Sequence, residues 1–367
     1  MSQRRPRVHM MTSNFTPGDA IGNYMLTSAR LWRGWGAEVY LYADHVAPLF
    51  GGLANPSEWY RPSGQDILWY HYSIYAENLA LARNSPDFKV MDFHGVTPPE
   101  LFAGENDHLE RLCRLGNATL PELRDTFDAC IVHSEFSRER LLADGYAADR
   151  IHKIPLCVDG SRFDGQEDEA LSQQLSQLDY LLFVGRIVPQ KDLAAMLRIF
   201  RYIHLQRPEM ALVLVGSSHA AEGYRRRLEH MVKAHGLEGR VLFTGPVNDP
   251  AQLAPLFARA RLLLITSEWE TFCVPVAEAL SFGTPAAVHD MPPLPETAGA
   301  GGLIIDKAQP QQAAQAILGL LADRARYDEL SAAARRQAAD YTEAALERSL
   351  LQLLRALFPT GTDETAR

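Results

Sequence analysis

Short apolar runs alternate along the chain with longer stretches whose apolar positions recur at helical spacing. The apolar runs predict strands at residues 7–13, 38–42, 67–70, 89–93, 129–133 and 150–155. After a polar stretch at residues 159–177, the runs resume at 180–184, 211–215, 240–244, 262–266 and 285–288. The helical spacing predicts helices between these strands, for example at 192–206 and 221–235.

Strands that are separated by helices are typical of parallel sheets built from β-α-β units. Two such series with a polar break between them predict an α/β fold of two doubly wound, Rossmann-like domains, with a boundary near residue 158. The length of 367 residues agrees with two domains. Ligands of such sheets bind at the carboxyl ends of the strands, so candidate chemistry is sought where the apolar runs end.

Composition excludes some classes of protein without identifying the chemistry. The net charge is −9 at pH 7 and both halves are mildly acidic, which argues against a nucleic-acid partner. The four cysteines form no C-x-x-C pair, so we expect a reducing cytoplasm rather than a disulfide scaffold. We expect no signal peptide and no membrane span, which leaves peripheral contact with the inner face of a membrane open.

The clearest chemical signal is the segment from Glu270 to Glu278, which follows an apolar run and opens a predicted helix. Both carboxylates are expected near the ligand edge of a parallel sheet, where a carboxylate can accept hydrogen bonds from vicinal sugar hydroxyls. The N–H groups of Phe272, Cys273 and Val274 would point out of the helix N-terminus toward an anion. Taken alone, the two glutamates fit equally a solvated loop residue and a helix cap.

A second signal is the loop from Gly185 to Lys191, which lies between the strand at 180–184 and the helix at 192–206. The loop carries Arg186 and Lys191 at the mouth of the predicted sheet. Two cations there can neutralise a leaving diphosphate, and the glycine lets the backbone approach it closely. Taken alone, the loop also fits a surface turn with two solvated cations.

The G-R-x-x-x-x-K loop followed by E-x-F-x-x-x-x-x-E resembles the donor site of family 4 retaining glycosyltransferases with the GT-B fold. The resemblance continues in Leu-Val-Gly-Ser at 214–217 and Phe-Thr-Gly at 243–245. In the first half, Gly-Asp-Ala-Ile-Gly-Asn at 18–23, His-Tyr-Ser at 71–73 and His-Gly-Val-Thr-Pro-Pro at 94–99 resemble a bacterial branch that builds O-antigens and other surface polysaccharides. Nearly the whole chain is covered.

The resemblance implies two Rossmann-like domains that face a cleft. Residues 1–158 would form the acceptor domain and residues 159–341 the nucleotide-sugar donor domain. The amphipathic stretch at 342–357 predicts a helix, and the resemblance implies that this helix packs back on the first domain. The donor would be GDP-mannose or a UDP-hexose, and the acceptor a saccharide or a lipid-linked saccharide.

Roles for single residues are carried over from the same family. Arg186 and Lys191 would hold the diphosphate, Glu270 the hydroxyls of the transferred sugar, and Glu278 those of the ribose. His94 would lie near the reacting carbon, although a lone histidine at a strand end is more often structural. The donor-binding residues would be Gly18, Asp19, Gly216, Ser217, Thr244, Phe272, Cys273, Val274 and Glu278, and His71 would lie on the acceptor side. The family often has glycine where this chain has Cys273, which would narrow the pocket.

Other classes of enzyme lack their motifs in this chain. There is no G-x-G-x-x-G after the first predicted strand and no G-x-x-x-x-G-K-[ST] loop, which argues against nicotinamide dehydrogenases and P-loop NTPases. No D-x-D pair is available to clamp a metal on a diphosphate, so we expect no metal and no separate cofactor. A nucleotide-sugar epimerase of the same shape and a non-catalytic accessory subunit remain alternatives.

Overall fold

Two parallel sheets organise the chain in a computed structural model that describes residues 6–16, 19–48, 51–158, 160–163, 165 and 167–358. Every described strand pairing is parallel. The strands are β1 (Arg7–Phe15), β2 (Glu38–Val46), β3 (Asn55–Pro56), β4 (Ile67–Tyr72), β5 (Phe88–Phe93), β6 (Ala129–Val132), β7 (Ile151–Lys153), β8 (Tyr180–Val184), β9 (Ala211–Val215), β10 (Val241–Gly245), β11 (Leu262–Ile265), β12 (Ala286–His289) and β13 (Gly302–Ile305).

Helices connect these strands. They are α1 (Ala20–Gly34), α2 (Leu79–Asn84), α3 (Asp107–Thr119), α4 (Glu135–Ala143), α5 (Glu169–Ser176), α6 (Leu193–Gln206), α7 (Glu222–Ala234), α8 (Pro250–Arg259), α9 (Val274–Ser281), α10 (Leu294–Ala298), α11 (Pro310–Ala322), α12 (Arg324–Ala338) and α13 (Glu343–Leu357). Within the described residues, no helix is both long and apolar enough to cross a membrane.

Both sheets are doubly wound. The first has the order β3-β2-β1-β4-β5-β6-β7 and the second β10-β9-β8-β11-β12-β13. In each, the chain begins at a central strand, builds outward on one side, and then crosses to the other side. The order therefore reverses between β1 and β4 and again between β8 and β11, which is where such sheets open a crevice for ligands. The predicted fold of two Rossmann-like domains is confirmed.

Polar side chains begin helices directly after strands. Asp19 accepts a hydrogen bond from the N–H of Gly22 and begins α1, and Asp192 accepts one from Ala195 and begins α6. A carboxylate in this position satisfies an N–H group that has no partner inside the helix. The cap at Asp192 fixes the start of α6 close to the carboxyl end of β8.

The observed strands differ from the predicted ones mainly at their ends. Two strands were not predicted from the sequence: β3 has only two residues, and β13 is hidden by the glycines that begin it. The polar stretch at 159–177 contains the helix α5, which Asp168 caps by accepting from Leu171. These elements form because neighbouring strands and helices supply the partners, which local periodicity does not record.

The final helix contacts the first domain. Glu343 of α13 pairs with Arg30 of α1 at 2.5 Å, and Glu347 accepts from the indole Nε1 of Trp35 at 3.0 Å. The backbone N–H of Val158 donates to the carbonyl of Tyr341 at 2.7 Å. The domain limits of 1–158 and 159–341 stay predictions, and the predicted boundary lies in the segment between β7 and β8.

Glycines join the ends of β8, β9 and β10. Gly216 has a φ of 148°, and a Cβ on it would lie 1.8 Å from the carbonyl oxygen of Gly185. The N–H of Gly185 donates to Val215 at 2.9 Å, and that of Gly216 donates to Gly245 at 2.9 Å. Only glycine allows this backbone conformation and this approach.

We predict that Gly216→Ala strongly destabilises the protein. The backbone strain costs roughly 1–3 kcal/mol, and the added carbon costs roughly 1–3 kcal/mol more through overpacking. Gly319→Ala is the matched control, because a Cβ there meets nothing within 4 Å inside α11 and should stabilise the helix, by about 0.5–1 kcal/mol. Urea unfolding followed by circular dichroism measures both. Equal effects of the two substitutions would contradict the close backbone approach.

Candidate functional site

The candidate site lies at the carboxyl ends of β8 to β11. The glycine junction, formed by Gly185, Gly216 and Gly245, places Gly216 and Ser217 beside the loop that carries Arg186. The carbonyl of Ser217 accepts from the N–H of Ile187 in that loop at 2.8 Å. Thr244 is the last residue but one of β10, beside β9, and its hydroxyl donates to the carbonyls of Gly245 at 2.9 Å and Leu214 at 3.4 Å. Ile187 and Ser217 are 30 positions apart in the sequence, as are Leu214 and Thr244. The structure thus brings distant residues to one edge of the sheet.

Lys191 and Glu270 form an ion pair in this edge. The ammonium of Lys191 lies 2.5 Å from Oε1 of Glu270, which also accepts from the hydroxyl of Ser267 at 2.8 Å. Both charged side chains are largely buried. A buried carboxylate is costly unless it is paired and hydrogen-bonded, so the pair holds the two sequence motifs together.

Glu278 lies on α9 and is paired with Arg162. Arg162 comes from the segment before α5, and its guanidinium also lies over the ring of Phe163, 4.4 Å from the centroid. Burial raises the pKa of Glu278 to about 7, although Arg162 lowers it. The sequence did not predict Arg162 as a site residue, and no motif marks it.

Arg186 differs from Lys191 in having an exposed side chain. Within the described parts of the chain, Arg186 forms no ion pair. It lies close enough to Asp19 to lower the pKa of that carboxyl, which burial raises overall. Asp19 belongs to the first domain, so Arg186 faces both domains. The predicted donor residue Gly18 lies outside the described residues.

The segment Phe272–Val274 leads directly into α9, whose first residue is Val274. The carbonyl of Phe272 accepts from the hydroxyl of Thr297, and its ring packs edge-on against Tyr341. Cys273 precedes α9 with a φ of 79° and a ψ of 74°. This left-handed conformation favours glycine, which explains why a glycine fits this position in the resembled family. The N–H groups ahead of the first turn have no acceptor inside the helix.

Lys307 contacts the loop that follows β11 and leads to Glu270. Its buried ammonium lies 2.7 Å from a carboxylate oxygen of Glu268 and 2.9 Å from one of Asp192, and it donates to the carbonyl of Thr266 at 3.0 Å. Lys307 therefore ties the end of β11 to the start of α6. Sequence reasoning missed this lysine because it follows β13, which was itself not predicted.

His94 and His71 lie together in the first domain. Nε2 of His94 is 3.0 Å from Nδ1 of His71, and Nδ1 of His94 is 3.1 Å from Nε2 of His133. The carboxylate of Asp92 lies within 3.7 Å of a nitrogen of each ring and 2.9 Å from Nε2 of His133. Both ring nitrogens of His94 are thus engaged within the protein, so its ring is not free to act as a base toward a bound substrate.

Asp92 and His133 were missed by the sequence reasoning. A signal was present, because Asp92 and His94 are two positions apart at the end of β5 and such residues share a face of the sheet. His133 directly follows β6, the neighbour of β5. The importance of these two residues follows from their contact with His94 and not from a motif.

The two domains meet beside the site. The hydroxyl of Thr271 donates to the backbone carbonyl of His94 at 2.6 Å. Gly95 has a φ of 79°, and a Cβ on it would lie 2.1 Å from Cγ2 of Thr271. Farther along the cleft, Glu105 pairs with Arg227. The end of β5 therefore rests on the loop that carries Glu270.

Two clusters have donor atoms within metal-binding reach of one another in the described residues. One consists of His71, Asp92 and His94, and the other of His9, Asp66 and Asp87. The first is hydrogen-bonded internally, and the second lies at the amino ends of β1, β4 and β5, opposite the site. Neither lies among the residues expected to hold a diphosphate, and the absence of a metal requirement stays a prediction.

Comparisons with known proteins agree with this architecture. Residues 166–337 match a family model described as glycosyl transferases group 1. A D-inositol 3-phosphate glycosyltransferase of Thermobispora bispora is 31% identical over 311 residues, which cover 81% of this chain and 72% of that protein. The O-antigen chain mannosyltransferase B of Escherichia coli is 27% identical over 223 residues, or 59% of this chain, and the match spans only 57% of that relative.

A solved structure has the same fold over almost the whole chain. The structure of Anabaena HepE in complex with UDP-glucose superposes with a TM-score of 0.75, covering 95% of this chain and 99% of that chain. The sequence identity is 17%, so this likeness concerns the fold alone.

We predict that Cys273→Gly is tolerated. Glycine relieves a backbone strain of about 1–2 kcal/mol, and losing the buried thiol offsets roughly 1 kcal/mol of that gain. Cys273→Val is the matched control, because a β-branched residue is strongly disfavoured at positive φ. Urea unfolding and titration with a nucleoside diphosphate measure stability and site integrity. Loss of nucleotide binding in a well-folded glycine variant would show that the thiol, and not the backbone, serves the site.

Proposed function

The chain belongs to the group 1 glycosyl transferases, and we propose that it moves a hexose from a nucleotide diphosphate sugar to a saccharide or lipid-linked saccharide acceptor with retention at the anomeric carbon. The observation that carries the proposal is the convergence of Arg186, Lys191, Glu270 and the N-terminus of α9 at one sheet edge. Opposite charges and open N–H groups at one edge suit a diphosphate joined to a polyol.

The leaving group determines the role of the cations. As the sugar–phosphate bond breaks, negative charge grows on the β-phosphate and positive charge grows at the anomeric carbon. The exposed guanidinium of Arg186 reaches the diphosphate without breaking an ion pair among the described residues. Lys191 and the N–H groups at residues 272–274 add positive potential at the same place. These groups replace the metal ion, so we propose metal-independent transfer.

The carboxylates bind the two polyol ends of the donor in this proposal. Glu270 accepts from hydroxyls of the sugar, and Glu278 accepts from the ribose hydroxyls. In the structure Glu270 is paired with Lys191 and Glu278 with Arg162. Donor binding therefore exchanges a cation contact for hydroxyl donors at each glutamate, and it releases Lys191 toward the phosphate. The glycine junction at Gly216 leaves room for the nucleobase.

Retention follows if the acceptor hydroxyl attacks the face from which the diphosphate departs. The departing phosphate oxygen is then the nearest base for the acceptor proton. The ring of His94 has both nitrogens engaged by His71 and His133, which supports a role through orientation instead of proton transfer. His71, on the same network, lies on the proposed acceptor side.

The sugar and the acceptor are the finer part of the proposal. Similarity to an O-antigen chain mannosyltransferase supports mannose from GDP-mannose and a family 4 enzyme of bacterial surface-polysaccharide synthesis. The shared fold with a protein that binds UDP-glucose supports a UDP-hexose as the other donor class. The proposed setting is the cytoplasm, with a lipid-linked acceptor at the inner face of the membrane.

We predict that a matching nucleotide sugar yields free nucleoside diphosphate only when acceptor is present, and equally in excess chelator. Thermal-shift screening of GDP-mannose and UDP-hexoses selects the donor, since a ligand at 100 times its dissociation constant stabilises by about 2.7 kcal/mol. Isomerised nucleotide sugar without acceptor would indicate an epimerase, and binding without any turnover would indicate an accessory protein. Restoration of activity by magnesium after chelation would overturn metal independence.

We predict that substitution of Glu278 affects nucleotide binding, whereas substitution of Glu270 affects turnover. Glu278→Gln should weaken nucleoside diphosphate and nucleotide sugar alike, by about 1.5–3 kcal/mol for a lost charged hydrogen bond. Glu270→Gln, the matched control, should leave diphosphate affinity nearly unchanged and reduce transfer. Calorimetric titration with the bare nucleotide decides between these roles, and the reverse pattern would exchange them.

The same titration has an expected pH dependence. Because burial raises the pKa of Glu278 to about 7, the carboxylate that accepts ribose hydroxyls is lost as the pH falls through 7. Nucleotide affinity should be constant above that pH and decline below it, by up to about tenfold per unit. Glu278→Gln should remove this part of the dependence and leave the titration of the phosphate itself. An unchanged profile in the variant would contradict the assignment.

A further inference from the structure

Four polar side chains form a closed cluster beneath the carboxyl ends of β4, β5 and β6. His71, Asp92, His94 and His133 are all buried. Asp92 accepts from the indole Nε1 of Trp69 at 2.8 Å through Oδ2. Its other oxygen, Oδ1, has no hydrogen bond within the described residues, although Nε2 of His133 lies 2.9 Å away. A fully buried carboxylate with one unbonded oxygen needs a compensating charge.

The positions of the acceptors determine where the protons lie. Nδ1 of His133 is 2.8 Å from the carbonyl oxygen of Ile154, which can only accept, so Nδ1 carries a proton. Nε2 of His133 faces the carboxylate of Asp92, which also accepts when ionised. Without a proton, the lone pair of Nε2 would face the negative carboxylate, which is repulsive. A second proton on His133, at Nε2, removes this repulsion. His133 is therefore an imidazolium, and it balances the charge of Asp92.

The proton positions on the other two rings follow in order. The single N–H at Nε2 of His133 lies between Oδ1 of Asp92, 2.9 Å away, and Nδ1 of His94, 3.1 Å away. Nδ1 of His94 therefore faces a donor and carries no proton. The proton of a neutral His94 then lies on Nε2 and is donated to Nδ1 of His71. His71 in turn keeps its proton on Nε2, which has no partner among the described residues.

The electrostatic environment agrees with this distribution. Burial lowers the pKa of His71 to about 4 and that of His94 well below its usual value, so both rings are neutral near pH 7. Burial acts to raise the pKa of Asp92, but the adjacent histidines outweigh it and hold that pKa well below its usual range. The other groups that face the cluster are Trp69 and the ring of Tyr24 on α1, which packs edge-on against all three histidines.

We propose that Asp92 and His133 form a buried ion pair that fixes His94 in a single tautomer and orientation, and that both are positioning residues for the transfer reaction. The backbone carbonyl of His94 accepts from Thr271, the neighbour of Glu270. By fixing His94, the ion pair would fix the position of the end of β5 against the loop that carries Thr271 and Glu270. This proposal rests on the proposed function for its kinetic consequence, but not for the protonation states.

The alternative of a metal bound by His71, Asp92 and His94 fits the geometry less well. Tetrahedral zinc at about 2.0–2.1 Å from its ligands separates them by roughly 3.3–3.4 Å. Here the two histidine nitrogens are 3.0 Å apart, the distance of a hydrogen bond, while each lies 3.6 or 3.7 Å from Asp92.

The protonation states are tested by nuclear magnetic resonance of protein labelled with ¹⁵N-histidine, with signals assigned through single histidine variants. We expect His133 to show two protonated nitrogens near pH 7, and His94 to show a proton on Nε2 alone. Asp92→Asn should convert His133 to a neutral ring. A neutral His133 in the unmodified protein, or no change in Asp92→Asn, overturns the ion pair whether or not the protein transfers sugar.

The positioning role is tested by kinetics. Asp92→Asn and His133→Asn should each lower kcat by up to roughly 10²-fold, as small misplacements of a reacting group do. The KM for the donor and the affinity for nucleoside diphosphate should stay the same, because neither residue is among the proposed nucleotide-binding residues. The double variant removes both charges, so its Tm should recover relative to the single variants while kcat stays low.

A matched control distinguishes positioning from stability. Asp66 makes a comparable buried contact with His9, 3.5 Å apart, at the opposite end of the same sheet. Asp66→Asn should lower Tm without changing kcat. Recovery of both Tm and kcat in the double variant at Asp92 and His133 would show that the pair serves stability only. A stoichiometric metal in the purified protein that is lost in Asp92→Asn would replace the ion pair with a metal site.

Discussion

The neutralisation of buried charge is the constraint on which this site depends. Carboxylates that are taken out of water at the ends of parallel strands need a cation within contact distance. Glu270 has Lys191, Glu278 has Arg162, and Asp92 has His133. Each partner comes from a different element, so each pair also fixes one loop against another. These charge pairs therefore hold the loops of the candidate site in place.

The sequence predicted those parts of the fold and site that repeat a local pattern. Alternating strands and helices indicated two doubly wound sheets, and the loop at Gly185 and the segment at Glu270 indicated the ligand edge. Parallel topology then required them to converge, because carboxyl ends of neighbouring strands meet at one edge. Lys191 and Glu270 are 79 positions apart and in contact. Motif spacing and topology predicted that both residues lie at this edge, but the ion pair between them was not predicted.

The remaining site residues could not be predicted because their roles are tertiary. Arg162 lies in a segment that was read only as a polar break, and Lys307 follows a strand whose glycines conceal it. Nothing local distinguishes either from a solvated cation. For Cys273, the sequence showed that the family's glycine is replaced. Only the structure shows why glycine suits this position, because the backbone has a φ of 79° there. His94 was found by resemblance, whereas the pairing that determines its protonation was not.

The two domains contribute different electrostatics to one cleft. In the second domain, Glu270 and Glu278 are paired with Lys191 and Arg162, whose side chains remain 16% and 26% exposed. In the first domain, the side chains of Asp92 and His133 are fully buried. The hydroxyl of Thr271 donates to the His94 carbonyl and joins these two parts. The candidate site therefore has partly exposed ion pairs on one side of the cleft and a fully buried polar cluster on the other, with a hydrogen bond between the domains fixing their spacing.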